Sequence, residues 1–225
     1  MRCLRSGGLT GLLFVLCASM LSIAQVVARG SGRSGDVPGA FDYYLMALSW
    51  SPSYCLTHPN ETDQCGGKGY GFVLHGLWPQ NRSGKWIQDC AVDSAPDAAT
   101  IERTLAFMPS RRLIGHEWQT HGTCSGLDPQ GYFELADRAF AAVKIPSALA
   151  SPQAPPELSA VEIVRGFVAV NPGLDERMLS VVCHDGSELV EVRVCLDKDT
   201  LAPQACSGRV RNTCRSGGLK IPAAR

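Results

Sequence analysis

Hydrophobic positions in this chain follow two rhythms, and the rhythms occupy separate blocks. Phe41-Asp42-Tyr43-Tyr44-Leu45-Met46-Ala47-Leu48 is nearly continuous aromatic and aliphatic sequence bounded by Gly and Ser-Pro, which predicts a buried strand. Gly71-Phe72-Val73-Leu74-His75 predicts a second, short strand, with a loop carrying Cys55 and Cys65 between the two. The period then lengthens. Residues 96–108 read as a helix opened by Pro96, with Ile101, Leu105 and Met108 on one face and Pro109 as its stop. A short helix over 114–121 is stopped by Gly122, and a longer one over 129–143 lines up Phe133, Ala136, Phe140 and Val143. Residues 146–158, rich in Pro, Ser and Ala, form a loop. Ser159-Ala160-Val161-Glu162 is a capping box, opening a helix that ends before Asn171-Pro172. Residues 178–183 and 188–196 alternate like paired strands around a His184-Asp185-Gly186 turn. Strands and helices come in runs rather than in strict alternation, so the expected class is α+β. No internal repeat or second linker is visible.

The N-terminus follows neither rhythm. Arg2 and Arg5 precede an apolar run centred on Leu12–Leu16, and small residues recur at Ser22-Ile23-Ala24 and Val26-Val27-Ala28. This predicts a secretory signal peptide over residues 1–28, cleaved after Ala24 or Ala28. The alternative, a membrane anchor, is opposed by Ser19, Ser22 and Gln25 inside the stretch. Residues 29–40 read as a flexible lead, and residues 41–225 as one domain. The chain has 225 residues and is 45% hydrophobic, enough for one sizeable core. A secreted or periplasmic location follows, with no membrane association after removal of the signal and with a monomer expected.

Cysteine usage agrees with export. Of ten cysteines, Cys3 and Cys17 leave with the signal. The remaining even set is Cys55, Cys65, Cys90, Cys124, Cys183, Cys195, Cys206 and Cys214, which implies disulfides with about 105 possible pairings. Zinc ligation is the rival, but no C-x-x-C pair occurs. Charge excludes binding of a polyanion by bulk attraction. Without residues 1–28, 19 basic residues face 21 acidic ones. Sequons at Asn60 and Asn81 matter only in a host that glycosylates exported proteins.

The chemistry concentrates in HEWQTHGTC, residues 116–124. Zinc proteases place two histidines four residues apart; here His116 and His121 are five apart, about 140° around a helix axis. They do not easily share an ion. Glu117 and His121 do share a face, a geometry that tunes a proton-transfer histidine. A partner group is His75, at the end of a predicted strand and before Gly76, although a lone histidine there also fits a neutral core residue. Two imidazoles suit RNA cleavage: one takes the 2′-hydroxyl proton, the other protonates the leaving 5′-oxygen. That chemistry needs no metal and no cofactor.

FVLHGLWP (72–79) and HEWQTHGTC (116–124) resemble the two active-site segments of the RNase T2 family of secreted endoribonucleases. The resemblance extends from about residue 41 to 214 and includes SWSPSYC (49–55) and ELVEVRVCLD (188–197). It implies a central antiparallel sheet flanked by helices. It also implies transesterification of single-stranded RNA to a 2′,3′-cyclic phosphate, with DNA inert. By resemblance, His75, Glu117 and His121 are catalytic, His116 binds phosphate and Trp78 stacks on a base. His121 is then the base and His75 the acid; the sequence itself allows the reverse. Trp86 reads equally as a second stacking residue or a surface tryptophan, and Trp118 as core. One position departs from the family pattern. Thr120 stands where many members carry a lysine that neutralises the phosphoryl group, leaving that work to a charged His116 or to an arginine such as Arg111 or Arg112, although those two read first as a solvated basic pair. The pairs proposed with this resemblance are Cys55–Cys65, Cys90–Cys124, Cys183–Cys214 and Cys195–Cys206. Two rival readings remain: a non-catalytic RNA binder or signalling protein on the same scaffold, favoured only by Thr120, and a zinc hydrolase.

Overall fold

The computed structural model of the chain describes residues 36–90 and 92–224. The expected signal peptide lies outside the described residues. Of the expected flexible lead, residues 36–40 are described, and they are tied down. The Gly39 amide donates to the Cys124 carbonyl at 2.9 Å, and Lys85 pairs with Asp36.

Four strands form one antiparallel sheet in the order β2-β1-β4-β3. They are β1 (Tyr43–Trp50), β2 (Phe72–Gln80), β3 (Leu179–His184) and β4 (Glu188–Asp197). Around them lie α1 (Ser51–Thr57), α2 (Ala98–Thr104), α3 (Arg111–Thr120), α4 (Pro129–Ala142) and α5 (Ala160–Val170). The fold is α+β. One sheet face carries Tyr44, Met46, Leu48 and Trp50 of β1 with Val192, Val194 and Leu196 of β4, and joins the main core with residues of α3, α4 and α5. On the other face Tyr43, Leu45 and Ala47 cluster with Trp78 and Cys195. A strand buried on both sides reads as a continuous apolar run, which is what residues 43–48 are. Each large apolar side chain so buried contributes about 1.5–3 kcal/mol.

Four disulfides link the same pairs that the resemblance implied: Cys55–Cys65, Cys90–Cys124, Cys183–Cys214 and Cys195–Cys206. The capping box at Ser159 and Glu162 is formed in both directions. The β3–β4 hairpin turns through Asp185 and Gly186, both at positive φ as a primed turn requires.

Besides α3, which starts three residues before the expected helix over 114–121, three elements differ from expectation. β2 runs on to Gln80 rather than stopping at His75, because it is an edge strand and tolerates Pro79. The Ser-Pro that reads as a strand terminator also opens α1, with Pro52 in its first turn. The helix expected over 96–108 is shorter, held by an Asp97 cap and ending at Thr104.

Candidate active site

The site is built around an irregularity in β2. Ala47 of β1 pairs with Gly76, but the next residue, Leu48, pairs with Leu74. His75 is the extra residue of a β-bulge. The bulge lets Leu74 and Leu77, three apart, both enter the core. His75, Gly76 and Trp78 are thereby turned to the opposite side, the way bulges re-aim side chains at functional sites.

The second segment arrives on α3. His121 caps the helix C-terminus, its amide donating to the Glu117 carbonyl at 3.0 Å. The helix end is fixed from three directions. Asp89 N–H donates to the Thr120 carbonyl at 2.8 Å, and Cys124 is bonded to Cys90. Gly122 lies so close under Trp118 that a Cβ there would come within 2.4 Å of the indole. Trp118 is core, as expected, and its N–H donates to the Ser94 carbonyl at 2.7 Å.

The two segments meet at Trp78. Its indole N–H donates to Glu117 Oε2 at 2.7 Å. The His75 and His121 rings each lie 5.1 Å from the Trp78 ring. His75 Nε2 is 3.7 Å from Glu117 Oε1. Glu117 is fully buried and His121 is 9% exposed, whereas His75 keeps a partly open face. The buried His121 Nδ1 has no hydrogen-bond partner among the described residues.

These surroundings push the titrating groups apart. Burial, then the positive charges of His75 and His116, lower His121 to about 3. His75 moves the other way. Burial opposes its charged form, but the hydrogen bond it donates to Glu191 and the negative charges of Glu191 and Glu117 outweigh it and raise its pKa. Burial raises Glu117 to about 7, against the pull of His75 and Trp78. The surroundings thus favour the neutral form of His121 and the charged form of His75, and acid–base catalysis draws on such a separation.

Other expected residues are placed differently. Trp78 is only 6% exposed, with Arg193 over its ring at 5.3 Å, so it offers no open stacking face. The bulge turns it inward between the two histidines. Trp86 is 50% exposed and is the open indole. His116 is on the exposed side of α3, its Nδ1 3.4 Å from Thr120 Oγ1. Arg111 pairs with Glu102, and Arg112 with Glu61 at 3.3 Å and the Tyr54 hydroxyl, so both are engaged at the surface.

Two residues of the site escaped the sequence reading. Glu191 accepts from His75 Nδ1, and Arg193 donates from Nε and Nη2 to the other Glu191 oxygen, each at 2.8 Å. Their only signal was polarity on the non-core side of an otherwise apolar strand. A cleft lined by Ser49, Tyr54, Val73, Leu113 and Val190 opens beside His75. Among the described residues no group of three His, Cys, Asp or Glu side chains is disposed to hold a metal ion.

The model of the Ribonuclease T2 family matches residues 41–206. The chain belongs to the ribonuclease T2 family. A ribonuclease of Aeromonas hydrophila is 45% identical over 125 residues, 56% of this chain and 54% of that relative. The chain thus matches about half the length of that relative. Ribonuclease 1 of Arabidopsis thaliana is 30% identical over 83% of this chain and 88% of its own. Among solved structures, ribonuclease MC1 from bitter gourd seeds superposes with a TM-score of 0.64 at 26% identity, over 80% of this chain and all of that one. The family match covers every element that carries the site, from β1 to the end of β4.

Proposed function

We propose that this family member is an exported, metal-independent endoribonuclease that cleaves single-stranded RNA through a 2′,3′-cyclic phosphate. The observation that carries the reading is the pair of imidazoles flanking Trp78, each ring 5.1 Å from the indole, in surroundings that favour the neutral form of His121 and the charged form of His75. Neutral His121 takes the 2′-hydroxyl proton, and O2′ attacks phosphorus. The P–O5′ bond breaks as His75 gives its proton to O5′. Water then opens the cyclic ester with the roles exchanged. Glu117, raised to about 7, is largely protonated below neutrality and donates to a phosphoryl oxygen. The cleft beside His75 and the exposed Trp86 offer places for bases. A variant of ribonuclease MC1 has been solved with 5′-UMP, which fits a nucleotide substrate. Disulfides belong to oxidising compartments, which supports export. Among the described residues no helix is long and apolar enough to cross a membrane.

Yeast RNA incubated with the purified protein in excess EDTA should be cut to fragments ending in cyclic phosphate, while DNA, lacking the nucleophile, should stay intact. Cleavage that stops on chelation would restore the zinc reading. No cleavage with or without metal would leave a binding role.

The pH profile follows from the two histidines. His121 acts as base when neutral, that is above about 3. His75 acts as acid when protonated, that is below a pKa raised over the ordinary 6.5. The kcat/KM curve should therefore be high across the acidic range and fall as pH rises through the His75 value. A profile that rises on its alkaline side instead of falling would reverse or remove these roles.

Thr120→Lys should raise the rate, since position 120 lies at the end of α3 beside His121. The new ammonium supplies the cation that the hydroxyl lacks. Unchanged kcat would show that other groups already hold the phosphate.

A further inference from the structure

We infer that Glu191 is the positioning residue of the proton donor, fixing the ring of His75 so that Nε2 delivers the proton. The inference rests on the reading of His75 as the acid. On β4, Val192, Val194 and Leu196 join the main core, which leaves Glu191 and Arg193 on the site's face. A carboxylate only 4% exposed is costly there unless it is paired and hydrogen-bonded. It has three donors: His75 Nδ1 on Oε1, and Arg193 Nε and Nη2 on Oε2.

The register explains how residues 116 apart come to touch. Ala47 pairs with Gly76 on one side and Arg193 on the other; Ser49 pairs with Val73 and Glu191. The β1 residues under the contact are therefore small, and the His75 ring reaches across β1 to β4. A second bulge, at Val190, lies beside Glu191, since Val182 pairs with Glu191 and Cys183 with Leu189. The contact is built from irregularities on both strands rather than met by chance on a flat sheet.

The chemistry follows from the bond. A ring that donates Nδ1–H to a carboxylate carries its exchangeable proton on Nε2, the nitrogen that faces Glu117. Four groups face His75: Glu191 and Arg193 from β4, and Glu117 and His121 from the end of α3. The two glutamates have different tasks. Glu117 is raised to about 7 and loses its charge in the working range. Burial also acts to raise Glu191, but the His75 bond and the Arg193 charge overcome it and hold its pKa below the usual range. Glu191 is thus the carboxylate that remains ionised and keeps the donor charged.

The test uses the full mature protein and two independent readouts. In wild type, nitrogen NMR of neutral His75 should show the proton on Nδ1; an Nε2–H tautomer overturns the inference without any variant. Glu191→Gln keeps the shape and an acceptor but removes the charge. His75 should then titrate at lower pH, and the alkaline limb of kcat/KM should move down with it. The loss should be roughly tenfold at alkaline pH and small at acidic pH, since each unit of pKa is tenfold in protonated donor. Glu191→Asp, which restores the charge, should recover part of the limb. A uniform loss at every pH, with His75 titrating as in wild type, would make Glu191 merely structural. Because the NMR titration needs no turnover, a protein that does not cleave RNA but shows these shifts refutes the function and leaves the Glu191 assignment standing.

Discussion

His121→Phe should lower kcat for RNA cleavage by at least about 10²–10⁴-fold, the usual worth of one positioned proton-transfer group, and should do so without loss of stability. Phenylalanine keeps the ring that packs 5.1 Å from Trp78 in a nearly closed site. It removes a buried Nδ1 that has no hydrogen-bond partner among the described residues. An unsatisfied buried polar atom costs about 1–3 kcal/mol, so the melting temperature should hold or rise. A dead enzyme that is no less stable is the signature of a residue retained for chemistry rather than packing. His75→Ala should be equally inactive. The double variant should be little worse than either single one, because the two groups act in one step. Steady-state kinetics on a dinucleoside phosphate with parallel calorimetry decides the matter. Substantial turnover in His121→Phe would remove it from the reaction.

Much of this architecture is legible in the sequence because its causes are local. The apolar run at residues 43–48, the Ser159 capping box and the Asp185-Gly186 turn each state their element within a few residues. His75, Glu117 and His121 are legible because they sit in two long motifs, and the structure brings those motifs together at Trp78. The rest depends on pairing, which no local pattern records. That β2 is an edge strand, and so runs past Pro79, is known only once the sheet order is known. The bulge that turns Trp78 inward is a register fact between β1 and β2. The same holds for Glu191. On β4 it reads as one polar residue in an alternating strand; only the order β2-β1-β4 sets it opposite His75. Arg111 and Arg112, candidates only because they are near in the chain, are the surface pair that they first read as, whereas the guanidinium at the site comes from residue 193 across the sheet.

The register also makes Gly76 the most sensitive backbone position in the site. A Cβ on Gly76 would lie 2.0 Å from Glu117 Oε2 and 2.1 Å from Trp78 Nε1, on both atoms of the bond that joins the two motifs. Neither partner can step aside. Glu117 is fully buried on a helix whose end is held by the Cys90–Cys124 disulfide, and Trp78 is enclosed by His121 and Arg193. Gly76→Ala should therefore break the Trp78–Glu117 hydrogen bond. Overpacking contributes about 1–3 kcal/mol of destabilisation, and a stranded indole N–H or carboxylate a similar amount. Activity should fall by about 10²-fold or more, the scale on which a misplacement of 1 Å acts. Gly115→Ala is the control, since nothing lies within 4 Å of a Cβ there and the position is inside α3. Alanine at that site should raise stability by up to about 1 kcal/mol through helix propensity, with activity unchanged. The same substitution should thus act in opposite directions at two glycines, and thermal melts with kinetics on both variants measure it. Wild-type activity in Gly76→Ala would mean that the Trp78–Glu117 bond, and the close approach of β2 to α3 that it requires, is not what assembles the site.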